Sequence, residues 1–185
     1  MPHRLRDARH EEVNRRSSDC ALRAALRMTL PRAAALEIGI RARNKMIEMK
    51  RPEDIAQEFR EAWNGHDMAA LASLFCEDAT FVNRFGHYVR GVQEIVALHA
   101  PIHETIYSDS AMANEVIATI ALGDGAAVVH FWSRLTVGEA HPAGPHAVDT
   151  LILAVLRLRA NEWLIQSLEN VTLTNPRTGE PVLRT

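Results

Sequence analysis

The chain has 185 residues, 47% of them hydrophobic, which is enough for one domain with a sizeable core. Its formal net charge of −2 is unevenly spread, because residues 1–50 carry twelve Lys or Arg and six acids, whereas residues 51–185 carry nine Arg and seventeen acids. Both lysines, Lys45 and Lys50, precede residue 51, so the body lacks a basic face for phosphate backbones and we expect no nucleic-acid binding. No apolar run reaches the length of a membrane span, and we expect no membrane insertion.

The first fifty residues form a basic leader that we expect to be dispensable. Its acids disfavour both an organelle transit peptide and a helix lying on a membrane. Met46 and Met49 stand just before Arg51, so the leader is either poorly ordered or the product of a start site assigned too early. Cys20 and Cys76 form no CxxC pair, which is typical of a reduced, cytoplasmic compartment.

Two helices open the body. Apolar residues recur at three-to-four spacing from Ile55 through Phe59, which predicts an amphipathic helix ending at Gly65. Asp67 is a predicted N-cap, and the apolar residues after it predict a second, short helix.

Two short strands and a third helix follow. Residues 79–83 and 88–90 are predicted strands joined by a turn. A helical period begins at Val92, and Pro101 predicts a kink or an end near His99, because proline cannot donate a backbone hydrogen bond.

Four long strands complete the body, and hairpin-length connections predict an antiparallel meander. They are predicted at residues 113–122, 126–137, 147–159 and 163–173.

This order predicts an α+β domain over residues 53–173, with residues 174–185 as a tail. We expect a cone-shaped barrel in which three helices from the N-terminal half pack in the concave side of a bent antiparallel or mixed sheet. The segment 148–156 is apolar on both faces of the strand, which predicts that a second subunit covers the outer face in a homodimer.

Several segments resemble the SgcJ/EcaC group of the nuclear transport factor 2-like superfamily, whose members are also described as SnoaL-like. The matching stretches are FREAWNGHD at 59–67, LFCEDATFVN at 74–83, the positions Gly86, Gly91, Ile95 and His99, and the last strand from Trp163 to Asn170. The resemblance implies the cone fold, and with it isomerases, cyclases, dehydratases, epoxide hydrolases or plain binding and association domains. No GxGxxG motif follows a strand, so we expect no nicotinamide or flavin cofactor.

His99 is the first candidate for chemistry. It lies on an apolar helix face, where burial shifts a pKa and suits proton transfer, although a core histidine with one hydrogen bond gives the same pattern. His99 and His103 are four residues apart, a spacing that suits zinc with a third ligand such as His130 or Asp149. Pro101 lies between the two histidines and no HExxH glutamate is present, so we predict that His103 binds substrate or caps the helix and that no metal is bound.

Asn83 shares a strand face with Phe81, and its amide is predicted either to hold a ligand oxygen or to orient a histidine. On the strand over 126–137, one face carries His130 and Trp132 and the other carries Phe131. If the first face lines the cavity, Trp132 stacks on a flat ligand and His130 donates to it; the alternative is a dimer-interface stripe.

Asp149 is the carboxylate best placed to act as a base, because desolvation in an apolar strand raises a carboxyl pKa; an exposed strand-end residue is the alternative. Glu169 and Asn170 point to opposite faces, so only one reaches the pocket, and Asn170 is our candidate. The loop over residues 139–146 is predicted to be a lid or only a mobile connection.

Together these residues predict a pocket for a small, largely apolar or aromatic molecule. If the protein is an enzyme, we expect cofactor-free isomerisation, cyclisation or dehydration, with His99 or Asp149 as general base and Asn83 stabilising an oxyanion. The alternative is a non-catalytic ligand-binding or protein-association module.

Overall fold

The computed structural model describes residues 51–184, and the predicted basic leader lies outside them. Within this part the chain forms three helices and six strands. The helices are α1 (Asp54–Asn64), α2 (Met68–Ser73) and α3 (Val92–His103). The strands are β1 (Phe75–Val82), β2 (Tyr88–Arg90), β3 (Ala111–Ala121), β4 (Ala126–Val137), β5 (His146–Arg159) and β6 (Glu162–Thr172).

The six strands form one mixed sheet in the order β2-β1-β6-β5-β4-β3. Strands β3 to β6 are an antiparallel meander, and β1 joins the far side of β6 in parallel. The α+β fold class predicted from the sequence is confirmed.

Side-chain hydrogen bonds mark the start of α2 and the end of α1. The Asp67 carboxylate accepts hydrogen bonds from the backbone N–H groups of Ala69 and Ala70, at 3.0 and 2.9 Å, and so caps α2. The side chain of Asn64 bonds both to the N–H and to the carbonyl of Met112, which fastens the end of α1 to the start of β3.

The core lies between the helices and the inner face of the sheet. Alternate residues of β4, namely Ala127, Val129, Phe131, Ser133, Leu135 and Val137, are buried, whereas the residues between them are partly or fully exposed. Ile55 and Phe59 of α1 and Ile95 of α3 pack against this face.

Two predicted boundaries are wrong. Strand β1 begins at Phe75 rather than residue 79, because Phe75 pairs with Ile165 of β6, a partner distant in sequence. Of the kink or end predicted near His99, the end is wrong, because helix α3 runs through Pro101 to His103, whereas the kink stays a prediction. The carbonyl that proline leaves without a donor belongs to Ala97, an exposed residue, so water can hydrate it and the helix continues.

No helix in the described residues is both long enough and apolar enough to cross a membrane.

Candidate active site

A pocket of about 310 Å³ opens between α1, α3 and the inner face of the sheet. This volume is near the lower end for small-molecule sites. Most of the lining is apolar or aromatic: Phe59, Trp63, Phe81, Phe85, Leu98, Ile102, Ile106, Tyr107, Met112, Leu135 and Val148. The polar lining residues are Asn83, Arg84, His87, His99, Thr150 and Asn170.

His99 lies on the wall of this pocket and is only 4% exposed. Its Nδ1 is 2.7 Å from the Ile95 carbonyl oxygen, one helical turn earlier. A carbonyl can only accept, so Nδ1 carries the hydrogen and Nε2 keeps a lone pair. The ring packs edge-on against Phe81, with the ring centroids 4.9 Å apart.

The burial of His99 lowers the pKa of its imidazole below 6.5, an effect that the bond to Ile95 opposes. The side chain is therefore neutral at neutral pH, with Nε2 able to accept a proton. From the sequence, His99 could be either a catalytic residue or a core histidine with one hydrogen bond. In the structure Nδ1 makes that hydrogen bond, and Nε2 remains available to a ligand.

His103 does not line the pocket, although it lies directly behind one of its walls. Its ring is 4.3 Å from the Trp63 ring, and its Nδ1 is 2.8 Å from Nδ1 of His66. Burial, reinforced by the nearby histidines His66 and His99, lowers the pKa of His103 to about 4. The prediction that His103 contacts the substrate directly is wrong, because Trp63, and not His103, lines the pocket at this point.

Asn83 organises the turn between β1 and β2. Its side-chain oxygen accepts from the backbone N–H groups of Phe85 and His87, at 3.0 and 2.9 Å, and its Nδ2 lies 3.4 Å from Nδ1 of His87. The amide oxygen is thus committed to the turn, and the histidine it meets is His87 rather than His99. Its part in binding a ligand stays a prediction.

Phe81 and Asn170 line the pocket at the places their strand positions suggest. Asn170 pairs with Ile152, a fully buried residue of the inner face, whereas Glu169 pairs with Leu153 and is exposed on the outer face. The side-chain oxygen of Asn170 is buried and has no hydrogen-bond partner among the described residues. Such an atom is costly unless a ligand or water supplies a donor.

Asp149 lies outside the pocket. Val148 and Thr150 line it, so the residue between them points to the opposite face of the sheet. There its carboxylate accepts two hydrogen bonds from Arg134, at 2.7 and 2.6 Å, and one from the backbone N–H of Arg184.

The predicted rise in the Asp149 pKa is also wrong. The hydrogen bonds from Arg134 hold the pKa of this carboxyl below its usual value, and they outweigh the opposing effect of burial. A carboxylate that is ionised and already paired is a poor general base.

His130 and Trp132 also lie on the outer face, because they alternate with the buried inner-face residues of β4, of which Leu135 lines the pocket. The guanidinium of Arg184 stands 5.3 Å from the centre of the Trp132 ring, and it is ion-paired with Glu115. The predictions that Trp132 stacks on a pocket ligand and that His130 donates to it are therefore wrong. Neither His130 nor Asp149 can complete a metal site with His99, since the sheet separates them.

The loop after β4 is fastened beside the pocket. The Asp109 carboxylate accepts from the backbone N–H groups of Gly138 and Ala140, at 3.2 and 3.0 Å. The ring of His141 stacks on that of Tyr107, a pocket residue, with the centroids 5.8 Å apart. These contacts connect the loop to the pocket wall; whether it acts as a lid stays a prediction.

Sequence reasoning missed Arg84, Tyr107 and Thr150. Arg84 and Tyr107 belong to connections rather than to strands or helices, so no periodicity points them inward. Thr150 shares a strand face with Val148, but the sequence does not show which face of β5 lines the pocket.

A sequence profile of the SnoaL-like domain matches residues 56–164, more than half of the chain. This chain belongs to the SnoaL-like domain family. The narrower resemblance to the SgcJ/EcaC group stays a prediction. No protein of curated function matches the sequence.

Solved structures agree on the fold of this SnoaL-like domain. A ketosteroid isomerase-like protein from Erwinia carotovora atroseptica is 17% identical, with a TM-score of 0.58, covering 66% of this chain and 94% of its own. A nuclear transport factor 2-like superfamily protein from Salmonella enterica serovar Typhimurium is 16% identical, with a TM-score of 0.60, covering 71% and 96%. A domain of unknown function with a cystatin-like fold from Nostoc punctiforme is 22% identical, with a TM-score of 0.58, covering 66% and 75%. At these identities the likeness concerns the fold alone.

Proposed function

We propose that the SnoaL-like domain binds a small, flat, largely apolar organic molecule in this pocket and transfers a proton on it, with His99 as general base. The observation that carries the proposal is a neutral, buried imidazole, oriented by the Ile95 carbonyl, on the wall of a mostly apolar cavity. The reaction class is cofactor-free isomerisation, cyclisation or dehydration, in which Nε2 of His99 takes a proton from a carbon acid. The unpaired side-chain oxygen of Asn170 would accept a hydrogen bond from an N–H or O–H group of the ligand.

None of the described residues that line the pocket carries a carboxylate, which favours a second candidate, a non-catalytic ligand-binding module. An enzyme of this kind gains from a matched acid and base near one reacting atom, whereas storage of a ligand requires only shape and apolar surface. Both candidates require that the pocket be occupied.

The test uses 5-nitrobenzisoxazole, a flat carbon acid. Removal of its C3 proton breaks the N–O bond and releases a coloured 2-cyano-4-nitrophenolate, with no other reactant. We expect saturable turnover above the buffer rate, which falls about 100-fold in His99→Gln. His130→Gln, on the outer face, is the matched control and keeps the activity.

Ile102→Trp fills the pocket, whereas the control Ile117→Trp adds the same side chain at a position 50% exposed on β3. Comparing the two variants separates an effect on the pocket from an effect at the surface. Saturable binding of the probe that only Ile102→Trp abolishes, without turnover dependent on His99, supports the binding module. Lack of any binding that depends on Ile102 contradicts both candidates.

We also propose that two copies associate through the outer face of the sheet. Across the strands, Ile120, Val128 and Val155 form one apolar row, and Trp132, Leu151 and Val171 form a second. These side chains are partly or fully exposed in the isolated chain. An antiparallel sheet with one solvated face normally places polar residues there, so a cover for these rows is favoured.

A further inference from the structure

Arg84 is the only permanently charged residue among the described side chains that line the pocket. It lies in the turn between β1 and β2, next to Phe85 and His87, which are exposed. His99, by contrast, is 4% exposed. The pocket therefore has a buried, apolar end near His99 and a mouth at which one cation stands.

The Arg84 guanidinium has no carboxylate partner among the described residues. The ion pairs of this part of the chain engage Arg51, Arg60, Arg134 and Arg184 instead. Acids outnumber arginines in the body by seventeen to nine, yet none lines the pocket. The mouth therefore carries a positive charge that no carboxylate among the described residues pairs with.

The turn that carries Arg84 is held in place by several contacts. Asn83 accepts two backbone N–H groups across the turn, and the Arg84 carbonyl accepts from the Thr172 hydroxyl at 3.4 Å. The guanidinium lies 4.1 Å from the centre of the Phe85 ring, a cation–π contact that steadies its position. A guanidinium carries a planar fork of N–H donors that matches a carboxylate.

We propose that the pocket selects a small organic acid, with the flat apolar part of the molecule toward His99 and its carboxylate against Arg84 at the mouth. This inference rests on the proposed binding function and names its ligand class. The carboxylate would lie against a cation that has no carboxylate partner among the described residues. None of the described residues that line the cavity is an acid that would repel it, and the apolar lining accommodates the rest of the molecule. A neutral molecule of the same shape would use the apolar lining but not Arg84.

The experiment compares 2-naphthoate with 2-naphthalenemethanol, a neutral probe of nearly the same shape. Dissociation constants are measured by calorimetry for the native protein and for Arg84→Gln, Arg84→Lys and Arg90→Gln. Arg90 is an exposed residue of β2 that does not line the pocket, so its variant carries the same loss of charge as a matched control.

We expect Arg84→Gln to weaken 2-naphthoate binding about five-fold, the upper range for a partly exposed ion pair, and to leave 2-naphthalenemethanol unchanged. Arg84→Lys keeps the charge but loses the planar fork, so it weakens binding of the acid less than Arg84→Gln does. Arg90→Gln keeps the full affinity, and added salt reduces the effect of Arg84→Gln.

Four results would overturn the inference. The first three are that Arg84→Gln leaves 2-naphthoate binding unchanged, that it weakens both probes equally, and that Arg90→Gln has the same effect. Each of these results would show that Arg84 does not recognise a carboxylate, and none would contradict the proposed binding function. If neither probe binds the native protein, the proposed binding function fails for ligands of this size, and the inference fails with it.

Discussion

His99 and Asp149 show why the position of a residue in the sequence does not reveal its chemistry. Both are titratable groups in apolar segments, and both are at most 4% exposed. Desolvation dominates at His99 and lowers its pKa, whereas hydrogen bonds from Arg134 dominate at Asp149 and hold its pKa down. Only the histidine faces the pocket, so the partners that the fold supplies decide which group is available.

The first prediction concerns the pH dependence of the proposed reaction. The active form of His99 is the neutral one, and its pKa lies below 6.5. Turnover of 5-nitrobenzisoxazole should therefore be constant above pH 7 and fall on acidification, with a midpoint below 6.5. A rate profile over a range in which the protein stays folded by circular dichroism measures this. A midpoint above 7 would contradict the assignment of His99.

The second prediction concerns His103, whose pKa is about 4 in the folded protein. The unfolded chain binds a proton there near pH 6.5, so it takes up more protons than the folded state between these values. The contribution of His103 to the free energy of unfolding should be fully present above pH 6.5 and should decrease as the pH falls toward 4. This group alone should cost about 2 kcal/mol of unfolding free energy between pH 7 and 5.

Urea unfolding at several pH values, compared with the variant His103→Leu, isolates this contribution. His66 and His99 are the titratable groups that act on His103, and their resonances should be followed in the same NMR titration. If His103→Leu retains the full loss of stability between pH 7 and 5, the effect comes from other groups.

At the scale of single elements, the loop after β4 depends on a close approach between Gly138 and Asp109. A Cβ atom added at Gly138 would overlap with the Asp109 carboxylate, which already accepts from the backbone of the loop. The hydrogen bonds from the loop, that from Ala140 first, lower the Asp109 pKa. Any side chain larger than that of glycine at residue 138 would therefore require the loop or the Asp109 carboxylate to move.

The third prediction follows from this contact. Gly138→Ala should destabilise the protein by about 1–3 kcal/mol, because the loop or the carboxylate must move. In an Asp109→Ala background the same substitution should cost much less, since the overlapping atoms are gone. A double-mutant cycle from urea unfolding measures the coupling, and equal costs in both backgrounds would show that the two residues do not interact.

The fourth prediction concerns the C-terminal tail and the end of β5. Asp149 holds Arg134 and the backbone of Arg184, and Arg184 reaches Glu115 on β3. Asp149→Asn should lower the free energy of unfolding by about 1–3 kcal/mol, because charged donors lose their acceptor. It should leave the rate of 5-nitrobenzisoxazole turnover unchanged. Loss of turnover in a folded Asp149→Asn variant would restore a catalytic role to this carboxylate.

At the scale of the whole molecule, the two faces of the sheet differ in what covers them. The inner face, with Phe131 and Ile152 fully buried, builds the core and the pocket. The outer face carries the apolar rows that contain Val155 and Leu151. The division follows from the pleat, since successive side chains of each strand point to opposite sides.

The fifth prediction tests the proposed homodimer. Val155→Asp places a charge at the β5 end of an apolar row and should convert a dimer into a monomer, because an unpaired charge cannot be buried without a large cost. Leu122→Asp, at a position 55% exposed just after β3, is the control and should remain dimeric. Sedimentation velocity measures the mass of each. A native protein that sediments as a monomer would contradict the proposal.

Much of the fold could be predicted because its signals are local. Helical spacing from Ile55, the cap at Asp67 and the alternation along β4 are fixed by the backbone geometry of single elements. The parallel pairing of β1 with β6 depends on residues about ninety positions apart, and so the start of β1 at Phe75 was not predictable from its own segment. The continuation of α3 through Pro101 likewise depends on an exposed carbonyl rather than on proline itself.

The sequence by itself determined the α+β class, the order of elements and the presence of polar residues in apolar segments, because these follow from periodicity and composition. Only the tertiary structure decided which side of the sheet each of those residues faces. A strand offers two equivalent faces until it pairs and packs, so Asp149, His130 and Trp132 could be assigned only once β4 and β5 had neighbours. For the same reason Arg84, in a turn without any period, became a candidate only when folding brought it to the mouth of the pocket.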